Sequence, residues 1–191
     1  MKNSKSELIL NVAQKLFAQY GFKKTTLDEI ARSAHITKSS IYYYFDSKED
    51  IFRAVLEKEN RLWSQKIREV ISKANTPQEK LRAYVVTKMK HLSQLVNFYS
   101  ALKEEYLEHY SFIERIRKKN LQEEIKIVRA ILKEGAKKGI FQVEDLELVA
   151  FVIVTALKGL EYPWAMKVPM PDMEEHIDLL LKVLFNGLLK R

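Results

Sequence analysis

The chain has 191 residues, 47% of them hydrophobic and 30% charged, with only 5 glycines and 4 prolines; this balance points to an all-α fold and away from both a sheet protein and a disordered chain. The absence of cysteine removes a disulfide framework, thiolate metal sites and cysteine nucleophiles, and it fits a reducing compartment, so the expected location is cytoplasmic. The formal net charge is +8, a surplus that serves solubility as readily as nucleic-acid binding and decides nothing by itself.

From Ser6 to Tyr20 the apolar residues Leu8, Ile9, Val12, Ala13, Leu16, Phe17 and Tyr20 fall at helical spacing, and Gly21 marks the helix end. In "TTLDEIARSA" Thr26 and Glu29 form a capping box for a short second helix. His35 and Ile36 make a tight turn, Thr37 caps a third helix reaching Phe45, and Ser47 caps a fourth that runs to about Lys73. Thr76, Pro77 and Glu79 open another helix with a second capping box. Further helices are predicted from Pro77 to Leu95, Val96 to His109 and Phe112 to Lys138, the last closed by Gly139. The run "LVAFVIVTAL", Leu148 to Leu157, is too short to span a bilayer and reads as a buried helix within Asp145 to Leu160. "YPWAMKVPMP" is the predicted loop, after which Asp172 caps a final amphipathic helix carrying Ile177, Leu180, Leu181, Leu184, Phe185 and Leu188.

Three helices within residues 6–45, the last two joined by a tight turn, make a helix-turn-helix bundle, which presents one helix to the DNA major groove. If Ile41 and Phe45, four apart, point into the bundle, Ser39, Ser40, Tyr42 and Tyr43 point away and Tyr44 lies on the flank. Hydroxyls there can donate to phosphates and the rings can pack on sugar or thymine methyl groups. Metal and enzyme chemistry find less support. The four histidines stand far apart, with Glu105 and His109 the one acid and histidine pair on a shared helical face, and neither a phosphate-binding glycine loop nor a nucleophile motif occurs. No cofactor and no metal are expected.

The stretch from Ile9 to Leu56, with "A..LF...G" in the first helix, "TT..EIA" in the second and "TKSSIYYYF.SKE" across the third and fourth, resembles the DNA-binding domain of the tetracycline-repressor (TetR) family. The resemblance implies a helix-turn-helix domain over residues 1–47 and a ligand-binding and dimerisation domain over residues 48–191, linked by a first helix at 48–73. It also implies that Thr26 meets a phosphate, that Lys38, Ser39, Ser40 and Tyr42 contact bases or backbone, and that Tyr43, Tyr44 and Lys48 lie at phosphates. One departure is His35, where the family usually has glycine; the backbone there wants a positive φ, which histidine tolerates better than most side chains. By the same resemblance the C-terminal half holds an inducer pocket for a largely apolar or aromatic, acyl-chain-like molecule, with Tyr106, Tyr162 and Trp164 as candidate lining. The expected partners are a double-stranded, pseudo-palindromic DNA operator, a small-molecule inducer and a second copy of the chain, with no membrane. The last two helices are the expected dimer interface, because their apolar residues cover more faces than one small bundle can bury. The protein is thus expected to be a ligand-responsive repressor and not an enzyme; the alternative is a helical ligand-binding or enzymatic protein that does not bind DNA.

Overall fold

The computed structural model describes residues 2–91, 111–165 and 173–188. Among these, eight α-helices follow one another: α1 Lys2–Lys24, α2 Leu27–Ser33, α3 Lys38–Tyr42, α4 Lys48–Ser72, α5 Pro77–His91, α6 Ser111–Lys137, α7 Leu146–Ala165 and α8 Met173–Leu188. No described helix is long and apolar enough to cross a membrane.

The helix ends obey the capping chemistry read from the sequence. Thr26 and Glu29 make both halves of their box, the Asp50 amide donates to Ser47 Oγ at 3.1 Å, and Glu79 is bound to Thr76 in the same reciprocal way. Gly21, at φ 82°, interrupts α1 with a kink, a conformation that an L side chain resists. His35 holds φ 54° in the turn before α3, the left-handed backbone expected at that site.

Three helices differ from expectation at their ends; the first is α1, which opens at Lys2, ahead of Ser6, and is carried past Gly21 to Lys24. α3 stops at Tyr42 and not at Phe45: the amides of Tyr44 and Phe45 both turn back to the Ile41 carbonyl, at 2.9 and 3.0 Å, which tightens the turn and ends the helix before Ser47 caps α4. α7 continues past Leu160 to Ala165, through Pro163. A proline this close to a helix end forfeits only its own bond, to a carbonyl one turn back, and no later turn must stack on the distortion. The predicted helix at Val96 to His109 and the Asp172 cap lie outside the described residues.

The chain divides into two compact units. The first takes in Met1–Leu62 and, among the described residues, the opening of α6 up to Ile116; the second takes in Trp63–Gln94 and Arg117–Arg191. The core of the first unit gathers Ile9, Ala13 and Phe17 of α1, Ile30 of α2, Ile41 of α3 and Ile51, Phe52 and Val55 of α4, together with Phe112 and Ile113 of α6. Phe17, Phe22 and Phe52 meet ring to ring, with centroids 4.7 to 5.7 Å apart. Burying each such side chain contributes roughly 1.5–3 kcal/mol, which is how a bundle of short helices holds together.

In the second unit Leu81, Tyr84 and Val85 of α5, Val128, Ile131 and Leu132 of α6, Ile153, Val154 and Leu157 of α7 and Ile177 and Leu181 of α8 are buried. Its interior is also polar. Glu124 accepts from the Tyr84 hydroxyl at 2.7 Å and pairs with the Lys88 ammonium, all three groups being buried. At the surface Arg82 grips Asp178 with two bonds, 2.6 and 2.8 Å, and this guanidinium holds the Asp178 carboxyl below its ordinary pKa. Gly135 has no room for a side chain, because a Cβ there lies 2.0 Å from the ring of Phe141.

Candidate nucleic-acid interface

The expected contact residues cluster on the N-terminal unit, and the local folding explains why. In "TT" the two threonines do opposite things. Thr25 is buried and its hydroxyl turns back to the Gly21 carbonyl at 2.8 Å, satisfying the end of α1; Thr26 faces solvent and starts α2. The Thr26 hydroxyl accepts from the Glu29 amide at 3.2 Å and donates to the Glu29 carboxylate at 2.9 Å. That carboxylate also takes the Thr26 amide at 2.7 Å, and these bonds, the amide's first, hold Glu29 below its ordinary pKa.

α3 has one buried residue, Ile41. One buried side chain in so short a helix fixes its rotation, and the expected faces follow. Tyr42 and Tyr43 are exposed by 51% and 64%, Ser39 is exposed and Ser40 partly so, while Tyr44 and Phe45 pack against the core. Tyr44 is therefore shared: it touches the core and also meets the ring of Tyr43 edge-on, with centroids 4.9 Å apart. It buttresses the outward ring.

Several expected DNA-contacting groups already have partners in the chain. Lys38 donates to Asp28 of α2 at 2.8 Å, and that carboxylate raises the pKa of the ammonium. The hydroxyls of Ser39 and Ser40 lie 2.9 and 2.8 Å from that of Thr37. Lys48 points into the protein: its ammonium donates to the Phe22 and Thr25 carbonyls, both at 2.9 Å, and lies 4.4 Å from the centre of the Phe22 ring. The Tyr42 hydroxyl, by contrast, makes no hydrogen bond among the described residues. Sequence reasoning missed Thr25 and Asp28. Thr25 had a readable signal, a β-branched hydroxyl four residues after a helix-ending glycine; Asp28 had none, since the pair with Lys38 spans ten positions and two helices.

Among the described residues no group of three His, Cys, Asp or Glu could hold a metal ion. The Glu105 and His109 pair and the candidate pocket residue Tyr106 lie outside the described residues. Of Tyr162 and Trp164 only the backbone, in the last turns of α7, is described.

Comparison with known proteins bears on both units. The family model of bacterial regulatory proteins of the tetR family matches residues 9–55, and that of the QacR-like protein C-terminal region matches residues 59–188. The HTH-type transcriptional regulator QacR of Staphylococcus aureus is 30% identical over 158 residues, covering 80% of this chain and 81% of its own. The fatty acid metabolism regulator protein of Bacillus subtilis is 27% identical over 191 residues, 98% of this chain and 97% of its own. Among solved structures, the fatty acid degradation regulator FadR of Bacillus halodurans aligns with a TM-score of 0.76 at 25% identity, over 98% of this chain and 97% of that one. An outward-facing, tyrosine-bearing α3 on a helix-turn-helix scaffold, with family matches to both parts of the chain, leads to one conclusion: the chain belongs to the tetR family and is a DNA-binding transcriptional regulator.

Proposed function

We propose that the protein is a homodimeric repressor that holds a pseudo-palindromic operator until a small, largely apolar molecule binds its C-terminal part. The observation that carries the DNA side is the exposure of Tyr42 and Tyr43 beside Ser39, on a helix whose single buried residue leaves it little other purpose. Tyr42 is the proposed first contact, its hydroxyl donating to a phosphate or base edge. Tyr43, propped by Tyr44, packs on the sugar-phosphate backbone, and Thr26, Lys38, Ser39 and Ser40 reach phosphates or bases by giving up their internal bonds.

Dimerisation is supported by the second unit's surface. Leu148, Phe151 and Val152 of α7 and Leu179, Leu180 and Val183 of α8 are exposed, at the i, i+3, i+4 spacing of a stripe that asks for cover. Two copies joined there would present two α3 helices, and a separation of roughly 34 Å would bring them to successive major grooves. α4, one continuous helix with residues in both units, is the proposed relay by which ligand changes that separation. The apolar, acyl-chain-like inducer is supported by two relatives named for fatty-acid regulation. On this reading the protein is not an enzyme and works in the cytoplasm.

The test is a gel-shift with the DNA flanking the protein's own gene. Expected are a retarded complex at low salt, a weaker complex for Tyr42→Phe, and release by one of a panel of fatty acids or acyl thioesters first found by thermal shift. Folded, dimeric protein that binds no such DNA defeats the repressor reading.

A further inference from the structure

The geometry points to a different job for Lys48: we infer that it is a positioning residue, a latch that joins the start of α4 to the end of α1 and thereby sets the angle of α3, and that it does not act by neutralising a phosphate. A helix leaves its last carbonyls without partners, and α1 is broken at Gly21, so the carbonyls beyond the kink need donors from elsewhere. Thr25 turns back to Gly21, and Lys48 supplies two bonds, to Phe22 and Thr25. Two of its three N–H groups are thereby committed to backbone 26 and 23 positions earlier in the chain. The ammonium is also partly buried and held over the Phe22 ring, which leaves one N–H and a restricted approach for any phosphate.

The latch has an apolar second half. Phe52 follows Lys48 by one helical turn on the same face, and its ring meets both Phe22 and Phe17. The first turn of α4 is thus fixed at two points to the kinked end of α1, one polar and one apolar. Only Tyr43 to Ser47 separate α3 from α4, so whatever fixes the start of α4 also fixes the direction in which α3 leaves the bundle. Of the charged groups of α2 and α3, Lys38 is paired with Asp28, and Glu29 is bound to Thr26, with the Lys48 charge the weakest of the influences on its carboxyl.

Two neutral variants distinguish a latch from a phosphate contact. Lys48→Met keeps the apolar stem and removes every donor, whereas Lys48→Gln removes the same charge and keeps an N–H pair able to reach a carbonyl. The probes are a duplex selected by the wild-type protein from a random library and poly(dI-dC) as non-specific DNA, titrated over a range of salt well below the melting temperature of every variant. A latch predicts that Lys48→Met loses at least tenfold on the selected duplex and changes little on poly(dI-dC). It also predicts that Lys48→Gln falls between Met and wild type, and that all three share one salt slope. A phosphate contact predicts equal losses for Met and Gln on both DNAs and a slope shallower by about 0.9 for each phosphate no longer neutralised, and that result overturns the inference. So does a lowered melting temperature with unchanged affinity, which would make Lys48 a stabilising residue without influence on α3.

Discussion

The two units bury polar groups in different ways. In the N-terminal unit polar side chains such as Thr26 with Glu29 and Ser47 with the Asp50 amide sit at helix ends and find partners close by; the buried Glu59, which accepts from the Gln14 side-chain amide at 3.0 Å, is an exception in an interior otherwise made of rings and branched aliphatics. In the C-terminal unit an acid, a lysine and a tyrosine meet inside, at Glu124, Lys88 and Tyr84. The difference teaches where stability and specificity come from. Hydrocarbon burial stabilises whatever packs well, while a buried ion pair is weak evidence for stability and costs most when it is left half made.

The comparison is broken most severely by Phe52→Ala, which empties the junction of three rings in the N-terminal unit; a loss of about 4 kcal/mol is expected in urea unfolding. Glu124→Ala in the other unit is expected to cost about 3 kcal/mol, because Lys88 and Tyr84 lose the buried carboxylate that both of them bond. The double variant Lys88→Met, Glu124→Leu is expected to regain most of that loss, and failure to do so would mean that this pair, unlike most, is a net source of stability.

These two sites also mark how far the sequence could be read. The first unit's helices, caps and outward face were largely legible because each signal is local: a capping box spans four residues, Thr26 to Glu29, and Ile41 sets the rotation of α3. The second unit's polar cluster was not, since Tyr84 and Lys88 stand 40 and 36 positions from Glu124, and a helical pattern places polar residues outside by default. Lys48 lay between these cases. The resemblance implies a phosphate contact for it, and nothing in the sequence shows that its ammonium also bonds to carbonyls 26 and 23 positions earlier. The passage of α7 through Pro163 was missed because proline was read as a loop signal without weighing how little a helix loses at its final turn.

A smaller effect is expected from His35→Gly. Glycine occupies a φ of 54° without the crowding a side chain meets there, so thermal unfolding should show a gain of about 0.5 kcal/mol. The smallest effect concerns pH. Glu29, lowered from 4.5 chiefly by its bond to the Thr26 amide, belongs to the class of carboxyls that bind protons more tightly when unfolded. Its contribution is complete above 4.5 and fades as pH falls through the lower, folded value. Glu29→Gln is therefore expected to flatten the acid limb of the melting-temperature curve without moving its neutral plateau, and an unchanged limb would show the capping box to be neutral in free energy.

Phe112 and Ile113 lie in the same core as Ile9, Phe17 and Phe52, although a long stretch of chain separates them from α4. During synthesis, at roughly 5–20 residues per second, the DNA-reading unit therefore waits several seconds after its own helices are made before its core can close. Until then the part of its apolar face that Phe112 and Ile113 cover is open, and the unit is not complete before the helix it shares with the second unit has begun to emerge. Order of manufacture thus ties completion of the DNA-reading unit to synthesis of part of the other.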